Sequence, residues 1–155
     1  MQQPIWIYKH FCDLSATELY DILSLRNKVF VVEQNCVYDD TDKKDLDAWH
    51  LCGYVNEELA AYARILSPGV SYKEASIGRV ITNPNHRGKG LGIELMNMAI
   101  QETLHQFKVT QIRISAQKYL LKFYGNLGFE STGKEYLEDN IPHVEMLLNN
   151  EASVE

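Results

Sequence analysis

The chain of 155 residues is short of positive charge: 15 Lys and Arg stand against 21 Asp and Glu, a formal net charge of −6. Proteins that bind duplex nucleic acid neutralise its phosphates with a basic face, so this balance argues against nucleic acid as the main partner. Cysteine is scarce as well. Cys12, Cys36 and Cys52 are odd in number and unpatterned in spacing, which favours free thiols in a reducing compartment over a disulfide framework. No stretch approaches the roughly 18 apolar residues of a membrane span, and the opening MQQPIWIYKH lacks a basic start followed by an apolar run. Together these absences predict a cytoplasmic protein with no membrane partner. Internal repeats, linkers and low-complexity tracts are also missing.

What is present suits one domain, expected over residues 1–148 with a flexible tail at 149–155. A chain of this length can bury about two-thirds of its unfolded surface, so it needs neither a metal nor a disulfide to hold together. Ile5 and Ile7 suggest a first strand. Ser15, with Glu18 three residues on, forms a capping box that starts a helix, and Leu19, Ile22, Leu23, Arg26, Val29 and Phe30 recur at helical spacing through most of 15–32. Arg26 sits on that apolar stripe. Its stem is read as covering the core edge while its charge finds a carboxylate, the alternative being an orienting role near a site.

The following stretch, EQNCVYDDTDKKDLD at 33–47, carries six acidic residues against two lysines and no sustained period. It is read either as a solvated surface loop or as a loop folded over a cleft that attracts a cationic amine, with Glu33 at the end of the preceding helix. Asp39, Asp40 and Asp42 are not a calcium loop, because the downstream glycine and Glu of that pattern are missing. Trp49–Val55 and Glu58–Leu66 read as a hairpin about Asn56 and Glu57. A strand at 77–82, a helix from Leu91, a strand at 111–115, a helix at 118–127 stopped by Gly128, and strands at 129–132 and 141–148 complete the chain. The helix from Leu91 turns Glu94, Asn97, Gln101, His105 and Lys108 outward, so His105 is solvated. The expected fold is α/β (α+β): a mixed, mostly antiparallel central sheet flanked by helices in three layers.

The stretch with most chemical content is IGRVITNPNHRGKGLG at 77–92. A β-prone run meets an Asn83-Pro84 turn, and glycines at 88, 90 and 92 then feed a helix N-terminus. Glycines let a backbone approach something closely, and first-turn N–H groups have no intrahelical partners, so the stretch is built to hold an anion such as phosphate. RGKGLG is not a P-loop, since no hydroxyl follows the lysine, nor a dinucleotide fingerprint, since it does not follow a first strand.

The whole unit resembles the coenzyme A site of the GNAT (Gcn5-related) N-acetyltransferases: Arg87, Gly90 and Gly92 fall on that family's Gln/Arg-x-x-Gly-x-Gly/Ala signature. Tyr124, Gly128 and Phe129 match a second family feature, a tyrosine four residues before a Gly-Phe pair. LRNKVFVVEQNCVYDD, AQKYLLKFYGNLGF and IPHVEM are similar to the ElaA-like branch. The resemblance implies splayed fourth and fifth strands with the pantetheine arm of acetyl-CoA between them, held by Val80, Ile81 and Thr82. It places the pyrophosphate on Gly88, Lys89, Gly90, Leu91 and Gly92, with Arg87 and Lys89 supplying local positive charge. Catalysis would draw on the Ile81 N–H as oxyanion donor and on Tyr124 as general acid, although the spacing of Tyr124 with Leu120, Phe123 and Leu127 equally suits a core aromatic. The base is open between Glu33, His50, His143 and water. No metal is implied. The acceptor is a small-molecule or peptide amine, and a homodimer fits the resemblance. A non-catalytic acyl-CoA-binding or sensing domain is the alternative function.

Overall fold

A computed structural model describes residues 2–151. Seven strands and three α-helices alternate in it: β1 (Ile5–His10), α1 (Ala16–Arg26), β2 (Trp49–Val55), β3 (Glu58–Leu66), β4 (Ser76–Thr82), α2 (Leu91–Phe107), β5 (Gln111–Gln117), α3 (Leu121–Asn126), β6 (Phe129–Glu138) and β7 (Ile141–Asn149). The strands form two antiparallel sheets, ordered β1-β2-β3-β4 and β5-β7-β6. They meet at one parallel bridge, Ala75 to Ile112, where Arg113 N–H donates to the Ala75 carbonyl at 2.9 Å. Beyond that bridge β4 and β5 diverge, which opens the cleft between the sheets.

Two clusters of apolar side chains cover the faces. One packs Leu91, Leu95, Met96 and Ala99 of α2 on Ala61, Ala63, Ile65 and Ile77 and continues to Ile112, Tyr124 and Met146. The other sets Ile22, Leu25 and Val29 on Cys52, Leu59, Tyr62 and Ile81. Full burial of such side chains contributes about 1.5–3 kcal/mol each, so α1 and α2 hold to the sheet by packing more than by propensity.

Local chemistry explains the element ends. Ser15 and Glu18 close the expected capping box on α1. The helix does not stop at Arg26 but widens into a π-helical turn, Asn27–Glu33, marked by Gln34 N–H to the Val29 carbonyl and Cys36 N–H to the Val31 carbonyl. β-Branched Val29, Val31 and Val32 crowd a tight helix, and the wider pitch relieves them. Lys118–Leu120 is a single 3-10 turn before α3, and Gly128, at φ +105°, ends the helical run. β6 runs to Glu138, six residues past the expected end at 132, with a register shift between Ser131 and Glu135. It is an edge strand exposed along most of its length, so no apolar alternation marks it in the sequence. Asn149 still pairs with Gln111, and residues 152–155 of the expected tail lie outside the described residues.

Candidate active site

β4 is not a regular strand. Tyr62 faces Ile81 and Arg64 faces Gly78, so Ala63 of β3 is opposed by both Arg79 and Val80. The extra residue is Arg79, at φ +52°, a left-handed conformation that costs a non-glycine residue about 1–2 kcal/mol. Its consequence is visible in the core: Ile77 and Ile81, four residues apart, would share a face of a regular strand, yet Ile77 packs towards α2 and Ile81 towards α1. The bulge leaves Arg79 and Val80 without a register partner in β3.

This corrects the reading of Ile81. Asn83 N–H donates to the Ala60 carbonyl at 2.8 Å, so Asn83 and Ala60 are a hydrogen-bonded pair. Antiparallel ladders alternate, and the next hydrogen-bonded pair is Ile81 with Tyr62. The Ile81 N–H therefore points into β3, and by the same alternation the neighbouring Val80 N–H points away from it.

The acidic loop at 33–47 divides its aspartates: Asp39 and Asp47 are exposed, whereas Asp40, Asp42 and Asp45 close on three arginines. Arg26 is wholly buried; its Nε donates to Asp40 Oδ2 at 2.7 Å and its Nη1 to Asp45 Oδ1 at 2.8 Å. Arg64 Nη1 donates to Asp42 Oδ1 at 2.6 Å and Asp45 Oδ1 at 2.9 Å, and Arg79 Nε to Asp40 Oδ1 at 2.9 Å. Burial raises the Asp45 carboxyl pKa, but hydrogen bonds and charge from Arg26 and Arg64 outweigh that and bring it down to about 2. Residues distant in sequence thus pin the loop over the cleft and fix the side chain of the bulge residue. No local period announces such a network; its only trace in the sequence is Arg26 on an apolar stripe.

The cleft holds a cavity of about 510 Å³. Gly78 to Val80 of β4 form one wall, and Ile114, Ser115, Tyr124 and His143 the other. Tyr124 is 6% exposed: its ring sits edge-on to Phe123 and Phe129 in the core, and the residue also lines the cavity. Burial, followed by the charge of Tyr119, pushes its hydroxyl pKa upward, so the phenol is protonated at neutral pH.

Of the base candidates, the structure brings His143 to the cavity wall and leaves Glu33 and His50 off it. Glu33 is bound through both carboxylate oxygens by Arg87 Nη1 and Nη2, each at 2.7 Å, and these hydrogen bonds hold its carboxyl below the usual range. His50 is 1% exposed, with its ring nitrogens beside the Tyr62 hydroxyl and the Asp45 carbonyl; burial lowers its pKa, and it is a core residue.

The glycine loop lies at the other end of β4. Asn83 caps a 3-10 turn, Pro84–His86, and Gly88 and Gly90 take φ of +83° and +76°. Gly90 is the N-cap of α2 and offers no side chain, so the first-turn amides of Leu91 and Gly92 are uncapped. A Cβ on Gly92 would come within 3.3 Å of Thr82 Oγ1. These features fit an anion held by backbone groups. Arg87 is committed elsewhere, its Nε to the Thr82 carbonyl at 3.0 Å and its remaining groups to Glu33, and Lys89 is exposed. Gly90→Ala is expected to weaken coenzyme A binding about tenfold by calorimetry, since left-handed strain of about 1–2 kcal/mol tilts the amides away.

A family model described as an acetyltransferase (GNAT) domain matches residues 27–149. Protein ElaA of Escherichia coli is 41% identical over 143 residues, covering 91% of this chain and 94% of its own. Its crystal structure superposes with a TM-score of 0.88 at 39% identity, over 94% of this chain and 99% of that one. An acyl-CoA N-acyltransferase from Pseudomonas aeruginosa superposes at 0.89 with 41% identity, over 94% and 99%. With its splayed sheets, bulged fourth strand and glycine loop opening α2, the chain belongs to the GNAT acetyltransferase family, in its ElaA-like branch.

Proposed function

We propose that this protein transfers an acetyl group from acetyl-CoA to a primary amine in the cytoplasm. One observation carries the reading: a single cavity between β4 and β5 is walled by a bulged backbone on one side and by Tyr124 and His143 on the other. Acetyl-CoA, when bound, supplies the acyl carbon and the leaving thiolate, so that a C–N bond forms as the C–S bond breaks with its electron pair on sulfur. Val80 and Thr82 line the path of the pantetheine arm, and the amides from Gly88 to Gly92 hold the pyrophosphate.

The chain's own groups then divide the work. His143 takes the first proton from the acceptor's ammonium at Nε2. The Val80 N–H, which β3 does not use, donates to the carbonyl oxygen as charge develops there. Tyr124 gives its hydroxyl proton to sulfur, and the excess proton on the new amide nitrogen restores the phenol through solvent. Calorimetry with acetyl-CoA, paired with a thiol-release assay over a panel of amines, tests this. Micromolar binding and amine-dependent thiol release are expected. Failure to bind any acyl-CoA overturns the reading, whereas binding without turnover across the panel would make the protein a sensor.

A further inference from the structure

His143 and Glu138 form an arrangement that the reaction above does not explain. His143 is 6% exposed, and its Nδ1 lies 2.7 Å from the Ile141 carbonyl. A carbonyl only accepts, so Nδ1 carries the proton and, in the neutral ring, Nε2 is left with a lone pair. Facing it at 3.4 Å is Glu138 Oε2, another acceptor. The ring lies nearly parallel to Tyr136, and the Nδ1 contact with the Ile141 carbonyl sets which edge faces Glu138. Glu138 is held from its other side, where Ser115 Oγ, itself accepting from the Tyr136 hydroxyl, reaches Oε1 at 3.4 Å. With the ring neutral, two acceptors stand side by side on the wall of one cavity, Glu138 being half exposed, and a donor with several N–H groups placed beside them would satisfy both.

The charge around them has the same preference. Arg26, Arg64 and Arg79 are matched by Asp40, Asp42 and Asp45. Among the described residues, that leaves Asp39, Glu138 and Asp139 on the cavity wall without an arginine or lysine, and Lys44, whose Nζ donates to Ser71 Oγ, as the wall cation without a carboxylate. Asp139 lies in the β6–β7 turn, at φ +50°, and its carbonyl accepts from Cys36 Sγ, so this turn and the acidic loop meet at the same rim. Arg64 Nε lacks a partner, but it is enclosed and offers an anionic ligand no open face.

Resting on the function proposed above, we infer that the acceptor is an amine with at least two cationic nitrogens. The reacting ammonium docks between His143 Nε2 and the Glu138 carboxylate, and the remote one lies against Asp39 and Asp139. Glu138 is then a binding residue for the acceptor as well as the partner that stabilises the imidazolium formed when His143 takes the proton.

The test is thiol release from acetyl-CoA with four acceptors: 1,4-diaminobutane, spermidine, butylamine and 4-aminobutanoate. One further carboxylate–ammonium contact is worth about tenfold, so kcat/KM for the better dication should exceed that for butylamine by about tenfold or more, with 4-aminobutanoate lowest. Asp139→Asn should shrink the ratio of dication to butylamine, whereas Glu138→Gln should lower kcat/KM for every amine in the panel and leave that ratio nearly unchanged. The Asp139 variant alters only an exposed turn. Bound acetyl-CoA with butylamine or 4-aminobutanoate used as well as the dications, or with none of the four turned over, overturns the acceptor class. Absence of acetyl-CoA binding overturns instead the functional reading beneath it.

Discussion

Arg26→Met is expected to destabilise the fold by about 3–5 kcal/mol, read as a lowered urea midpoint, out of a total of about 5–15 kcal/mol for a domain of this kind. The substitution keeps much of the apolar stem but leaves Asp40 and Asp45, 8% and 6% exposed, short of a partner that donates to both. Removing one side of a buried pair costs more than the pair contributes, because the remaining charge stays desolvated. Glu33→Gln supplies the contrast. It breaks an ion pair whose side chains are 40% and 45% exposed, and solvent screening leaves about 0–1 kcal/mol at stake.

Acid should reveal the same network. The folded pKa of Asp45, about 2, lies below its unfolded value of 3.8. Its stabilisation is therefore complete above about pH 4 and is lost as pH falls from there towards 2, an effect of about 2 kcal/mol. In Arg26→Met that segment of the stability profile should flatten. An unchanged urea midpoint in the variant would show that Arg64 and Arg79 hold the loop without Arg26.

Tyr124→Phe is expected to lower kcat about a hundredfold while leaving KM and the thermal midpoint nearly unchanged. The phenyl ring retains the edge contacts with Phe123 and Phe129, at centroid distances of 5.1 and 6.0 Å, so the core loses no volume. What it loses is the hydroxyl of a residue on the cavity wall, whose pKa burial pushes upward. Steady-state kinetics with acetyl-CoA and a responsive amine separate the two roles of this residue. Full turnover in the variant would assign Tyr124 to packing alone.

Local signals in the sequence carried well. The capping box at Ser15, the hairpin Trp49–Val55 with Glu58–Leu66, and the outward face of α2 were legible because each depends on residues within a few positions of one another. The same holds for the glycine loop, where positive φ at Gly88 and Gly90 follows from the absence of a Cβ. The sequence marks β6 only to 132, because an edge strand wet on both faces has no reason to alternate apolar and polar residues. Glu138 lies on the unmarked half of that strand and carries no local signal for the same reason.

By itself, then, the sequence determined the order of elements, the two apolar faces of the sheet and a glycine-rich loop opening a helix, all products of short-range sterics and hydrophobic period. Tertiary structure alone decided three things: that the aspartates at 40, 42 and 45 face inward onto Arg26, Arg64 and Arg79; that a left-handed Arg79 shifts β4 by one residue, turning Ile81 into the ladder and freeing Val80; and that His143 meets Glu138 across the β6–β7 hairpin. The physical reason is common to all three. A charge is tolerated in the interior, and a strained backbone is held, only by partners that the fold brings from far along the chain.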